Sequence, residues 1–273
     1  MAASEVEYSV EREIDEFFKK TSATRAACDS YAKEHLGGDV ISVAVQGVCS
    51  YTVYTRPKAE FVVQFRLKLL MLEMETAPQN VDEISREHLL HQYERELQLL
   101  LHSLPGRFHP FIRESLNSLR SILSLPMVLL HKDFGVCNIM VDEVSCNLVG
   151  VIDWAEAEIA PFGLNLHSHQ RLISKVHLKN GWIRYNDYIL LEDIFWSTFR
   201  EEAGGLSDET IRIIKSARVV GLLLSCGFTP RLVNMPEPVP IQEDESEAYN
   251  MRNLDGLLIN PATRFTELDD YAR

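Results

Sequence analysis

Two short apolar runs separated by a polar turn constrain this chain more than any other feature: Asn138-Ile139-Met140-Val141-Asp142 and Leu148-Val149-Gly150-Val151-Ile152-Asp153. Runs this short, rich in β-branched residues and bounded by polar clusters, predict strands rather than helices. Glu143 to Asn147 then forms the turn of a hairpin. A turn centred between Ser145 and Cys146 places Asn138 opposite Asp153, because each is equally far from the midpoint. An amide oxygen and a carboxylate are thus expected side by side. Asp133 sits on the loop entering the hairpin, and His131 can hold that loop by hydrogen bonds.

Oxygen ligands at hairpin ends suit a hard cation such as magnesium, which takes one or two protein oxygens and fills its shell with water and phosphate. A further carboxylate that stays off the metal can take the proton of a hydroxyl attacking phosphorus.

The rest of the chain surrounds this element with helices and one small sheet. The first thirty-five or so residues read as helical until Gly37-Gly38 stops the pattern. Val40–Val45, Tyr51–Thr55 and Phe61–Phe65 predict three strands in an antiparallel meander. Helical spacing from Leu67 to Ala77 ends at Pro78, and Asn80 with Glu83 resembles an N-capping pair. A long amphipathic helix is expected to about Leu104, and another over Phe111–Leu123. Beyond Asp153 the chain reads as helical to about Gly227. Met235 to Asn253, rich in proline and acid, predicts a surface loop or arm. The fold class is α+β, with a smaller N-terminal part over 1–79 and a mainly helical part over 80–273.

With 273 residues, 46% of them apolar, the chain can bury a sizeable core, and disorder as its main state is excluded. Its net charge of -13 argues against binding nucleic acid through bulk charge and suits a cationic partner. No stretch approaches the roughly 20 apolar residues of a membrane helix. The first residues are acidic where a secretory leader is basic and then apolar. The five cysteines, Cys28, Cys49, Cys137, Cys146 and Cys226, are scattered and form no CxxC pair, which points to reduced thiols, a cytoplasmic location and no zinc site.

Read in order, the residues are His131-Lys132-Asp133, four more positions, Asn138-Ile139, and then Ile152-Asp153-Trp154. This resembles the catalytic loop and metal segment of the aminoglycoside phosphotransferase and choline kinase family. The run Val151 to Glu158 followed by Pro161-Phe162-Gly163 is similar to its fungal members. The resemblance implies a protein-kinase-like two-lobe fold with the site between the lobes. It implies a Mg2+- and ATP-dependent kinase, moving the γ-phosphate of ATP to a hydroxyl of a small molecule. Asp133 would be the catalytic base, and Asn138 and Asp153 would bind magnesium. Gln46 to Tyr54 would cover the phosphates, with Gly47, Cys49 and Ser50 at its tip. Arg66 would be the phosphate-contacting cation, with Lys68 second, and Glu73 or Glu75 could pair with it.

One departure stands out. Between Arg66 and His131 there is no room for the family's two further strands and adenine-contacting hinge. A rival reading is therefore a kinase-like binding or scaffold protein that has lost nucleotide affinity.

Other side chains read more plainly. His88 and His91, with Glu94, predict a solvated helix face, and His167 and His169 predict surface or helix-start positions. Trp182, Tyr185, Tyr188, Phe195, Trp196 and Phe199 predict core packing. Asp187, Glu192 and Asp193 lie among them, and an acidic aromatic pocket there would favour an amine acceptor. Glu156 and Glu158 could face the acceptor or simply favour a helix start. The absence of HExxH, GxSxG, GxGxxG and GxxxxGK leaves zincin, esterase, dinucleotide and P-loop readings without support.

Overall fold

The computed structural model describes residues 9–44, 46, 50–55, 61–66, 83–142, 144–154, 157–177, 180–229, 237–244 and 247–268. The chain divides into two compact units, Met1–Glu73 and Met74–Arg273. The expected helix over Leu67–Ala77, the Asn80 cap, Gly47, Cys49, Lys68, Glu73, Glu75 and Glu156 lie outside the described residues.

The small unit opens with two helices rather than one continuous helical stretch. α1 (Val10–Phe18) begins where Ser9 Oγ accepts from the Arg12 amide at 3.4 Å, and α2 (Arg25–Leu36) begins at a Thr24 cap that accepts from the Ala27 amide at 3.2 Å. The polar residues between them favour caps over continuation. β1 (Ile41–Ser42), β2 (Ser50–Thr55) and β3 (Phe61–Arg66) form the expected antiparallel meander with β2 in the centre. The first strand is shorter than the sequence suggests. Ile14, Phe17, Cys28, Ala32, Tyr51 and Val53 form the buried core of this unit. Tyr51 keeps its hydroxyl satisfied by donating to Asp29 Oδ1 at 2.7 Å.

The large unit starts with α3 (Glu83–Ser103) and α4 (His109–Leu123), joined through a single 3-10 turn at Gly106–Phe108. They pack with α7 (Asp208–Cys226) and α8 (Ala248–Leu254) around Leu97, Ile112, Ile122, Leu223 and Leu258, each at most 2% exposed. Each such side chain contributes roughly 1.5–3 kcal/mol of hydrophobic stabilisation. α8 occupies the end of the stretch that reads as a surface arm. Met251 and Leu254, among its acidic and polar neighbours, supply an apolar face to the core.

The region after Asp153 is less helical than its composition predicts. β7 (Glu158–Pro161) pairs antiparallel with β4 (Met127–Leu130), and β8 (Ser174–His177) pairs with β9 (Gly181–Arg184). Between them lie the four-residue helix α5 (Gln170–Ile173) and the 3-10 turn Leu166–His169. α6 (Tyr188–Glu202) and α7 complete the unit. Among the described residues no helix is long and apolar enough to cross a membrane.

α7 presses directly on the segment that follows β7. A Cβ built on Gly221 would lie 1.6 Å from the Leu164 carbonyl oxygen, so only glycine permits this approach. Gly163, at φ +101, makes the turn that brings Leu164 there. Gly221→Ala should therefore destabilise the protein by on the order of 3 kcal/mol, since backbone has to move. Urea unfolding reads this directly, and a midpoint within error of wild type would contradict the close approach.

A buried charge network spans α5, α6, α7 and the C-terminal segment. Arg218, with no exposed surface, donates from Nη1 to Glu192 Oε1 at 2.7 Å and from Nη2 to both Glu267 oxygens at 2.7 and 2.6 Å. Glu192 also accepts from Trp196 Nε1 at 2.9 Å and Gln170 Nε2 at 3.1 Å. Burial alone would raise the Glu192 carboxyl, but Arg218 more than offsets this and holds it below the ordinary value. The expected acidic aromatic pocket is thus corrected. Glu192 turns inward and is neutralised by an arginine, while Asp187 and Asp193 are exposed.

His167 and His169 are likewise buried rather than at the surface. Burial pushes the His167 imidazole from 6.5 down to about 4. Its Nδ1 lies 3.0 Å from the Leu164 carbonyl, which fits a neutral ring donating there. A neutral buried imidazole contributes stability that is complete above pH 6.5 and is lost as pH falls toward 4, because the unfolded chain takes up the proton first. The loss amounts to roughly 3 kcal/mol. Unfolding midpoints should fall between pH 7 and pH 4 in wild type and fall less steeply in His167→Gln. Parallel slopes would rule His167 out as the source.

Candidate active site

β4 runs out of the core at Leu130 into a loop on which His131 stays buried while Lys132 and Asp133 reach the surface of the large unit. His131 is buried, and its Nε2 lies 2.7 Å from the Ile152 carbonyl. The ring therefore donates to the residue that follows β6 (Leu148–Val151) and ties the loop to the far side of the hairpin. Its Nδ1 has no partner among the described residues. The Trp154 ring meets His131 edge-on at 4.9 Å and donates its own Nε1–H to the Val151 carbonyl at 2.9 Å. Lys132 pairs with Glu158 at 3.2 Å, which ties the loop to β7 and engages one of the two acids considered for the acceptor side.

A 3-10 turn over Val136–Asn138 then leads into β5 (Ile139–Val141), which pairs with β6 (Leu148–Val151). Asn138 is the pivot. Its Nδ2 donates to the Asp133 carbonyl at 2.7 Å and lies 3.3 Å from Asp133 Oδ2. With the nitrogen turned back on the loop, Oδ1 is the atom left to accept or to ligate. Asp133 itself is held at its backbone while its carboxylate stays 68% exposed, as a group that must meet a substrate requires.

The hairpin exists as the sequence implies, but its register is displaced by one. Ile139 faces Val151 and Met140 faces Gly150, whereas Val141 faces Leu148. The irregularity between Met140 and Val141 leaves Val149 as an extra residue on β6, a β-bulge. Asn138 consequently stands opposite Ile152, whose amide donates to the Asn138 carbonyl at 2.9 Å. Asp153 is the next residue along, half-buried and at φ +65. A left-handed backbone is uncommon outside glycine and is tolerated best by Asp and Asn. At the hairpin tip, Asp142 Oδ1 accepts from the Val144 and Ser145 amides and from the Ser145 hydroxyl, which holds its carboxyl below the ordinary value.

The candidate residues of the small unit are placed less tellingly. Arg66 ends β3 opposite Ser50, and its side chain lies outside the described residues. Ser50 is buried, and its hydroxyl accepts from Gln64 Nε2 at 3.0 Å, so it faces the sheet rather than an open loop. Gln46 is buried and bonds to Thr52 on both sides of its amide, at 2.9 Å each way.

Two contributors escape a sequence reading. Asn165 Nδ2 approaches the His131 carbonyl at 3.5 Å, and Arg171 Nη1 lies 4.0 Å from Asp133 Oδ1. Neither is announced by spacing. Both depend on the turn at Gly163 bringing the segment after β7 back beneath the loop.

For magnesium, the donor set fits in kind. Asn138 Oδ1 and the Asp153 carboxylate are oxygens, and one or two protein oxygens with phosphate are what the ion takes. Among the described residues there is no cluster of three or more His, Cys, Asp or Glu that would hold a metal by protein groups alone. His88 and His91 are exposed on α3, with His91 3.5 Å from Glu87.

No curated protein and no solved structure matches the chain. The family comparison does find a match: residues 62–173, which include the loop, the hairpin, Asn165 and Arg171, carry the pattern of the phosphotransferase enzyme family. The family's fold is kinase-like, in agreement with the α+β architecture of helices and small antiparallel sheets. Over residues 62–173, the chain is similar to the phosphotransferase enzyme family.

Proposed function

We infer that this phosphotransferase moves the γ-phosphate of ATP to a hydroxyl of a small molecule, with Asp133 as the base. The observation that carries the reading is the Asn138 amide. By donating to the Asp133 carbonyl it fixes the base, and by the same rotation it offers Oδ1 outward. An exposed carboxylate on a fixed loop is suited to accept the proton of a bound hydroxyl. The proton passes to Asp133 as the acceptor oxygen bonds to phosphorus, the bond to the bridging oxygen breaks and ADP leaves. A bound magnesium ion would neutralise charge on the phosphate oxygens, and Asn138 and Asp153 are the groups that would hold it. Arg66 and Gly47 are assigned to the nucleotide on the resemblance alone. The acceptor need not be an amine, since the acidic aromatic cluster is occupied by Arg218.

The second reading, a kinase-like binding or scaffold protein, is favoured by the small unit. Among the described residues its sheet holds three strands, and Glu83 to Leu130 is given to two helices, one 3-10 turn and β4. Two measurements separate the readings. Millimolar Mg-ATP should raise the melting temperature of the wild type and fail to do so in Asp153→Ala. ADP release in a screen of hydroxyl acceptors should fall by a factor on the order of 10³ in Asp133→Asn with nucleotide binding retained. Absence of any shift with Mg-ATP would support the scaffold.

A further inference from the structure

We propose that Arg171 is a positioning residue for Asp133, its guanidinium steadying one carboxylate oxygen while the Asn138 amide steadies the other. The proposal rests on the phosphoryl-transfer reading above. Arg171 Nη1 lies 4.0 Å from Asp133 Oδ1, and Asn138 Nδ2 lies 3.3 Å from Oδ2. The base is thereby bracketed from both ends and presents its remaining lone pairs in one orientation.

An ion pair this open would contribute little on its own. Here both backbones are fixed in advance. On the loop side, Asp133 is held through its carbonyl by Asn138, and the Arg171 side chain packs over Gly135. A Cβ on Gly135 would stand 3.6 Å from Arg171 Nη1 and 3.8 Å from its Cδ, within van der Waals contact.

On the helix side, α5 is anchored by the residue next to Arg171. Gln170 has no exposed surface; its Nε2 donates to Glu192 Oε2 at 3.1 Å and its Oε1 accepts from the Tyr188 hydroxyl at 2.9 Å. Glu192 is in turn bound to Arg218, and Arg218 to Glu267. His169, one residue further back, stacks on Phe195 at 4.1 Å. α5 cannot shift without uncoupling buried charges, so the guanidinium emerges at a set place beside the base. Such preorganisation acts on the rate of the chemical step, since the geometry need not be found anew in each turnover.

The test uses the full-length protein. Arg171→Gln should lower kcat about tenfold or more while the KM for ATP stays within about twofold. Arg171→Lys should recover part of that loss, since it restores the charge without the planar fork. A second readout does not depend on turnover: at constant neutral pH, the Arg171 Nε–Hε resonance, assigned by its absence in Arg171→Lys, should move in Asp133→Asn. The proposal is overturned by an unmoved resonance, by a loss confined to the KM for ATP, or by a lysine variant no better than the glutamine one. A resonance that moves in a wild-type protein that phosphorylates no hydroxyl acceptor would instead overturn the phosphoryl-transfer reading, and with it any role of the pair in catalysis.

Discussion

The single side-chain amide of Asn138 decides what the surrounding loop can do. Its nitrogen donates to the Asp133 carbonyl and lies against Asp133 Oδ2, and with the nitrogen so engaged the oxygen faces the other way. The position of an acid and the direction of a ligand are set by one rotation. An aspartate at 138 could not make this bond, because a carboxylate only accepts. A leucine would leave the Asp133 carbonyl without its partner and the loop without its pivot.

That loop is stiffened from three directions, and each brace comes from a different part of the chain. His131 reaches across to Ile152, Asn165 comes up from behind the Gly163 turn, and Arg171 approaches from α5. The last two owe their positions to α7. Gly221 lets α7 lie against Leu164, and Arg218, three residues earlier on the same helix, binds the acid that holds Gln170. Core packing and buried charge thus converge on a segment of a few residues beneath the candidate base. Breaking one partner of a buried ion pair is costly because the other is left uncompensated. The network therefore resists local rearrangement as well as unfolding.

Much of this was legible in the residues, and the failures have identifiable causes. β2 and β3 announce themselves by β-branched and aromatic residues between turn signals, and α3 and α4 by their helical spacing and the Pro105-Gly106 break. The hairpin is equally clear as an element, but its register is not. Counting outward needs the turn's centre and equal strands. The turn closes one residue earlier, with the Asp142 amide donating to the Asn147 carbonyl, and the extra residue at Val149 restores only one of the two positions lost, so Asn138 meets Ile152 rather than Asp153. β7, β8 and β9 are hidden because neither they nor their partners are marked by alternation. His167 and His169 look like surface residues in a polar dipeptide pattern. They are buried because α6 and α7 close over them, which no local signal conveys. Glu192 looked available to a cation for the same reason: its partner Arg218 lies on another helix. The parts of the site carried by one continuous stretch could be read, and those carried by packing between distant stretches could not.

The central claim is that the loop and the hairpin end form one nucleotide-metal surface through Asn138 and Asp153. Titrating uniformly 15N-labelled protein with Mn2+ and ADP tests it most directly, since the paramagnetic ion broadens amide resonances in its vicinity. The account predicts broadening of the amides from Asp133 to Ile139 and from Val151 to Trp154, appearing only when metal and nucleotide are both present. Broadening centred on any other part of the large unit, or none at saturating concentrations, would contradict it.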